Sequence, residues 1–286
     1  MPYGTAVRRR KLGAELRALR SRAGLTSGEA ARLVGWHQSK VSRIETGRSR
    51  VKASDVTLLL DAYSVRDPAL RDLLVAMAGP GGGDGRTHWW QAYRDLLPPE
   101  YRDFIRLESQ ADRMRTLETT VVPGLFQTPD YARAVTRAAL VGLPDAQVDA
   151  LVEVRLARQE VLRRDPPLQV SAVLDEAVLR RAVGGPGVME RQLYRLLEAA
   201  RLPHVRVQVL PFAAGEHIGV TGPFVILSFS NISDLDVVVL DHLTSSLYLE
   251  GTEDLKAYAS AFNSLQRVAL SPEDSLEFIA GTCDGA

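Results

Sequence analysis

Residues 24–48 read GLTSGEAARLVGWHQSKVSRIETGR. Gly24 is a helix stop for whatever precedes it. Thr26, followed three residues later by Glu29, has the form of a capping box: a hydroxyl at the N-cap and a carboxylate that reaches back to it. Ala30, Leu33 and Val34 are expected to form the buried face of the short helix that follows, and Gly35 to end it. A glycine between two short helices is the turn of a helix-turn-helix. In the next segment, 36–47, Val41 and Ile44 are three apart and should face inward. Trp36 is read as core at the entry, with His37 at the N-cap. Glu45 is read as structural, paired with a nearby arginine. Gln38, Ser39, Ser42 and Arg43 then remain outside, and these are side-chain types that read base edges. Gly47 closes the helix. Lys40, Arg48, Arg50 and Lys52 are placed for phosphate oxygens, which set position and affinity rather than sequence choice.

Working outward, Leu12, Leu16 and Leu19 give one apolar face to a preceding helix. Arg8, Arg9, Arg10 and Lys11 come before it and are read equally as DNA contacts or as a solvated cluster. Val56, Leu59 and Leu60, then Leu70, Leu73 and Leu74, supply two further amphipathic helices, which makes a bundle of five. Residues 12–64 resemble the XRE-type, lambda-repressor-like helix-turn-helix family. The likeness rests on LGAELRALRSRAGLTSGEAARLVGWHQSKVSRIETGRSRV and on DVTLLLDAY after it. The resemblance implies that the helix at 38–46 enters the major groove of double-stranded DNA. It also implies a phosphate contact at the second helix's N-terminus from the residue after Thr26. The family usually has Gln there; this chain has Ser27, with shorter reach. Because helix-turn-helix dimers read half-sites about one DNA turn apart, a homodimer on a pseudo-palindromic operator is expected.

Charge supports the same division. The 286 residues contain 35 Lys/Arg and 35 Asp/Glu. Residues 1–80 hold 15 basic and 7 acidic residues, and residues 81–286 hold 20 and 28. A basic half beside an acidic half points to nucleic-acid or membrane contact by the former. Residues 79–85, Gly-Pro-Gly-Gly-Gly-Asp-Gly, have the composition of a flexible linker. The domains are therefore placed at 1–78 and 88–286, with a linker at 79–87. A single cysteine, Cys283, excludes an intrachain disulfide framework and a multi-cysteine metal centre. No apolar run reaches a membrane span, and MPYGTAVRRRKLG lacks the apolar region of a secretory signal. A cytoplasmic protein without membrane contact is expected.

The C-terminal region reads as mixed. Residues 88–120 look helical, with Tyr93, Leu96, Leu97, Tyr101, Ile105, Leu107, Ala111, Met114 and Leu117 on one face. Pro123-Gly124 forces a turn, and Thr128-Pro129 reads as an N-cap and first-turn proline opening a helix to about Leu140. A further helix spans roughly Asp145–Arg164. Strands follow at 168–174, 205–210, 223–230, 235–241 and 245–251. Helices lie near 176–182 and 188–200, and at 254–268 and 272–280. The expected class is α+β with a mostly antiparallel sheet. VVPGLFQTPDYARAV, VRVQVLPF and the final ALSPEDSLEFIA are similar to the effector domain of actinobacterial WhiJ-like regulators, sometimes described as antitoxin-like. That resemblance implies a transcription regulator, often beside a gene for a small partner protein, and no catalytic activity or ligand.

Catalytic and metal constellations are weak beside these signals. Asp241-His242 with Ser245 or Ser246 is an acid–His–Ser grouping only in sequence, and no GxSxG elbow accompanies it. Glu216, His217, Asp241 and His242 offer four side chains able to ligate a metal but without a ligand spacing. Gly184, Gly185 and Gly187 lack the GxGxxG and GxxxxGK[ST] patterns of a phosphate cradle. The expectation is a DNA-binding regulator with no cofactor, no metal and no enzyme activity. Its C-terminal domain would sense a small-molecule effector or partner protein and dimerise. The alternative is an antitoxin-like protein that captures a small partner and binds DNA for autoregulation.

Overall fold

The computed structural model describes residues 3–49, 51–78, 89–93, 96–230, 236–242 and 245–283. They divide into two compact units, Met1–Gln91 with Ser230–Leu235, and Ala92–Phe229 with Asp236–Ala286. The stretch read as a linker, 79–87, lies outside the described residues, as do Arg50 and the side chains of Arg8, Arg10 and Lys11.

The first unit is all helical: α1 (Tyr3–Arg22), α2 (Ser27–Leu33), α3 (Gln38–Glu45), α4 (Ala53–Ala62) and α5 (Pro68–Met77). Leu12, Leu16 and Leu19 of α1 are buried with Val41 and Ile44 of α3, Val56, Leu59 and Leu60 of α4, and Leu74 of α5. One expectation is corrected. Leu33 is not buried; it is 62% exposed, and Ala30 and Ala31 carry the buried face of α2. A helix turns about 100° per residue, so with both alanines inward Leu33 points roughly 110° away from the core. Small side chains let α2 lie close to its neighbours, and α1 does the same through Gly13. A Cβ at Gly13 would sit 2.4 Å from the Ile44 carbonyl oxygen and 2.6 Å from that of Glu45. The α1 and α3 backbones touch there, and no side chain fits between them.

Polar groups reinforce that contact. The Arg20 guanidinium donates from Nε to Glu45 Oε1 at 2.7 Å and from Nη2 to Oε2 at 2.9 Å. Its Nη1 donates to the Leu25 carbonyl at 2.6 Å. The Tyr63 hydroxyl reaches the same carboxylate at 3.4 Å. Glu45 is buried, and planar bidentate geometry of this kind is what makes a desolvated ion pair tolerable.

The second unit is built on a six-stranded sheet. Its elements in order are α6 (Pro99–Gln110), β1 (Arg113–Glu118), α7 (Pro129–Ala139), α8 (Asp145–Arg158), β2 (Gln169–Asp175), α9 (Glu176–Arg180) and α10 (Pro186–Ala200). There follow β3 (Val205–Leu210), β4 (Phe224–Ser228), β5 (Val237–Asp241), β6 (Ser246–Leu249), α11 (Thr252–Val268) and α12 (Pro272–Cys283). The strand order is β3-β2-β1-β4-β5-β6. The β3–β2 and β2–β1 pairs are parallel, and the other three are antiparallel, so the sheet is mixed. One face packs on α11: Leu117, Val173, Leu210, Phe224, Ile226 and Val238 surround Phe262 and Leu265. Phe224 meets Tyr258 edge-on with centroids 5.1 Å apart.

The second correction concerns β1. The continuous helix expected over 88–120 does not form. A short 3₁₀ turn occupies Trp89–Tyr93, α6 stops at Gln110, and Arg113–Glu118 is a central strand between β2 and β4. Ala111, Met114 and Leu117 happen to keep a three-residue spacing that extends the helical pattern. A strand covered on both faces loses the alternation that would have exposed it: Met114 and Thr116 are buried on one side and Leu117 on the other. Thr116 is accommodated because its hydroxyl donates to the Phe224 carbonyl at 3.1 Å.

The turn at 122–131 is held by buried side chains from three helices. Gln127 Nε2 donates to the Val122 carbonyl at 2.6 Å, and the Val122 N–H donates to the Tyr131 hydroxyl at 3.0 Å. Gln192 of α10 accepts from the Thr128 N–H at 2.7 Å and donates to the Phe126 carbonyl at 2.8 Å. Gln159 donates to the Gln127 carbonyl at 2.8 Å. Beside them Arg158 of α8 forms a bidentate pair with Glu108 of α6, at 2.8 and 2.7 Å, and bonds the Tyr101 hydroxyl at 2.6 Å. The outer edge of β3 is closed from the C-terminal side. Leu270 N–H donates to the Val209 carbonyl at 2.8 Å, and Ser275 Oγ accepts from the Val209 N–H at 2.9 Å.

Two outcomes are expected. Glu45→Ala leaves the half-buried Arg20 guanidinium without its carboxylate and costs about 1.5–3 kcal/mol, read by urea unfolding followed by circular dichroism. The second concerns Glu118, whose carboxyl burial pushes up to about 8. A carboxyl raised in the folded state loses its proton more easily once unfolded. Stability is therefore full below the ordinary carboxylate range and falls as pH rises through about 8. Glu118→Gln removes that slope: its unfolding temperature should match the wild type near about pH 4 and exceed it near about pH 9.

Candidate nucleic-acid interface

The α2–turn–α3 segment is fixed locally before it is packed. The Glu29 N–H donates to Thr26 Oγ1 at 3.2 Å, and the Thr26 N–H and hydroxyl donate to Glu29 Oε2 at 2.8 and 2.7 Å. Those bonds hold the Glu29 carboxyl below the ordinary carboxylate range. The expected capping box is present. Gly35 has φ +70°, a left-handed conformation that only glycine adopts without strain. The Trp36 N–H returns to the Ala31 carbonyl at 2.8 Å. At the start of α3, His37 is the N-cap: its Nδ1 accepts from the Ser39 N–H at 3.3 Å and lies 2.9 Å from the Ser39 hydroxyl.

Within α3, Val41, Ile44 and Glu45 are buried. Gln38, Ser39, Ser42 and Arg43 are exposed together on the opposite side. Gln38 is not loose. Its Nε2 donates to the Ser27 hydroxyl at 3.0 Å, which ties the first residue of α3 to the first residue of α2. Ser27 thus reaches the neighbouring helix through its short side chain and sits at the α2 N-terminus, where backbone N–H groups and the helix dipole favour an anion. Ser39 is shared with His37. Ser42 gives its carbonyl to the Thr46 hydroxyl at 2.8 Å, leaving its own hydroxyl outward. Arg43 Nη and Nε groups have no protein partner among the described residues.

The residues placed for phosphate divide. Arg48 and Lys52 are exposed, Arg48 just after Gly47 (φ +66°) and Lys52 at the N-cap of α4. Lys40 is already engaged: its Nζ is 3.3 Å from Asp55 and 3.5 Å from the centre of the Trp36 ring. Trp36 is half-buried and serves as a platform for that cation. Asp55 and Gly13 were not singled out in the sequence. A glycine inside a helical pattern is a signal of close backbone approach, and it was available at Gly13; the pairing of Lys40 with Asp55, 15 residues away, carries no local signal.

In the second unit the grouping of Asp241, His242, Ser245 and Ser246 closes on itself. Ser246 Oγ donates to Asp241 Oδ1 at 2.6 Å, and the His242 N–H donates to the Ser245 carbonyl at 2.9 Å. His217 caps a short turn, its Nδ1 accepting from Gly219 N–H at 3.1 Å. Among the described residues no cluster of three or more metal-ligating side chains occurs, and no helix is long and apolar enough to cross a membrane.

A family model described as a helix-turn-helix domain matches residues 11–74. A second, described as a domain of unknown function, DUF5753, matches residues 101–281. Comparisons with curated proteins and with solved structures found no match. Helix-turn-helix geometry at α2–α3 thus coincides with the first match, and the sheet unit coincides with the second. Because the longer match covers more than half of its residues, the chain belongs to the family defined by the DUF5753 domain.

Proposed function

We propose that this protein is a sequence-specific, XRE-type transcription regulator rather than an enzyme. In this reading α3 lies in the major groove of a pseudo-palindromic operator. The observation that carries the proposal is the division of α3: Val41, Ile44 and Glu45 are locked inside, while Gln38, Ser39, Ser42 and Arg43 share the outer side. Arg43 suits guanine and Gln38 suits adenine. Ser27, Arg48 and Lys52, with Arg50 between the last two, hold phosphates; Lys40 contributes after exchanging Asp55 for a phosphate oxygen. The basic balance of residues 1–80 supports such contacts. The protein acts as a cytoplasmic homodimer, and its WhiJ-like second unit senses a small effector.

A second reading gives that unit an antitoxin-like role, capturing a small partner protein. One observation favours it: Phe212 and Val220 are 61% and 78% exposed in an acidic half of the chain, and exposed apolar side chains of this size suit protein contact. Copurification of a small basic protein with the full chain, lost in Phe212→Ser, would favour capture over effector sensing.

The test is DNA binding by the full chain to its own upstream region across a salt titration. Arg43→Ala should lose about 1–3 kcal/mol on the operator and its preference over random DNA. Arg48→Ala should weaken operator and random DNA alike and flatten the salt dependence by about one ion. Weak binding, equal for every sequence and unchanged in Arg43→Ala, overturns the assignment of α3. Sedimentation with the operator should show two chains per site.

A further inference from the structure

Three arginines of the second unit share one face of its sheet. Arg115 on β1 is in register with Ser171 on β2, and Ser171 with Arg206 on β3. This rung across three strands reads guanidinium, hydroxyl, guanidinium. In the next rung Arg113 lies between Gln169 on β2 and Ser228 on β4. Strand geometry puts the Cα atoms of Arg113 and Arg115 about 7 Å apart, and those of Arg115 and Arg206 about 10 Å apart. On the other side of Arg115 the rung of Leu117, Val173 and Phe224 is buried with Phe262 and Leu265 of α11. Helix α11 therefore covers one end of this face and leaves the arginine end open. Arg113, Gln169 and Arg206 are exposed there, and Arg115, Ser171 and Ser228 are half-buried. The residues that alternate with them, Met114, Val170, Val205 and Val207, are buried in the opposite face.

These charges are not neutralised within the protein. Among the described residues none of the three arginines forms an ion pair. Arg206 Nε donates to Gln208 Oε1 at 3.2 Å, and Gln208 is fixed to α11 by donating from Nε2 to the Gln266 carbonyl at 3.2 Å. That bond braces Arg206 and uses neither of its Nη groups. Arg115 Nε is buried with no hydrogen-bond partner. Asp236 lies near enough for its charge to reach Arg115, and its Oδ1 accepts from the Phe229 N–H at 3.1 Å. Like charges placed together on one sheet face repel, and residues 81–286 hold 28 acidic side chains against 20 basic ones. Three guanidiniums gathered without a carboxylate between them, in an acidic unit, are arranged for an anion from outside.

We propose that this open end of the sheet is a second DNA-contacting surface, which holds phosphates of the duplex beside the operator without reading bases. A row of guanidiniums with hydroxyl and amide donors between them suits a string of phosphates, which accept from all of these groups. The first unit brings a duplex to the same chain, so the second meets it at high effective concentration. The acidic balance of residues 81–286 repels DNA from the rest of the unit, and the arginine face is the side that can approach. The inference goes beyond the assignment of α3 and rests on the chain's binding DNA.

Salt titrations of the full chain on two fragments of its own upstream region test this. One is the shortest fragment on which Arg43→Ala still loses affinity. The other is the same fragment extended at each end by about 20 bp, two turns of duplex. Both side chains changed in Arg113→Gln/Arg206→Gln are exposed, and circular dichroism checks the fold. On the extended fragment this variant should lower the slope of log K against log salt by about 2. On the short fragment it should match the wild type. Arg137→Gln/Arg191→Gln, on α7 and α10, changes the net charge equally and should leave both slopes at the wild-type value. Three results each overturn the proposal: a wild-type slope that does not steepen with the added flanks, a slope unchanged in Arg113→Gln/Arg206→Gln on the extended fragment, or the same flattening in Arg137→Gln/Arg191→Gln. Arg43→Ala without effect on any fragment instead removes the assignment of α3, and the whole upstream region then carries the comparison of the two double variants.

Discussion

Arg20 commits its guanidinium to three places at once: both oxygens of Glu45 on α3 and the Leu25 carbonyl in the turn before α2. One side chain on α1 therefore sets the height of both helices of the DNA-reading pair. Gly13 acts on the same contact from the backbone, since its hydrogen is all that separates α1 from the last carbonyls of α3. The outward side of α3 is positioned by what its inward side cannot do. It can neither rotate without breaking a buried bidentate pair nor move inward without meeting α1.

The second unit solves a similar problem with amides. The turn at 122–131 would leave buried carbonyls and N–H groups without partners. Gln127, Gln159 and Gln192 supply both donors and acceptors there, and the Tyr131 hydroxyl completes the set. Neutral amides avoid the desolvation cost of charge, and the buried ion pair beside them, Arg158 with Glu108, is bidentate. The sequence VPGLFQTPDYAR had suggested only a tight turn feeding a capped helix. Its Gln127 and Tyr131 prove to be the fasteners of that turn, both bonding the Val122 backbone, a role that the local pattern does not show.

The helix-turn-helix was legible because its signals are local. Thr26 and Glu29 are three apart, Gly35 and Gly47 mark left-handed stops, and Val41 and Ile44 repeat at helical spacing. Five strands were legible for the same reason: Val205–Leu210 and its like are rich in β-branched residues and bounded by turn residues. Strand β1 was not, because its identity comes from Gln169–Leu174 and Phe224–Ser228, which lie far away in the chain. One parallel pairing, β1 with β2, stayed hidden with it; the other, β2 with β3, joins two strands separated by helices, the pattern of a parallel crossover. Leu33 misled through a spacing that fits a wide apolar stripe, when two alanines were enough.

The closure of β3 by the C-terminal segment has a bearing on how the chain is made and broken. Val209 has both of its outward backbone groups taken by Leu270 and Ser275, and the Gln208 amide donates to the Leu270 carbonyl at 2.9 Å. A chain still emerging from the ribosome, or one clipped ahead of residue 270, presents that edge bare. An unpaired edge rich in valine is a template for strand addition by another molecule. The segment from Leu270 into α12 thus acts as a built-in sheath: while it is absent or trimmed away, the valine-rich edge of β3 is open to strand addition.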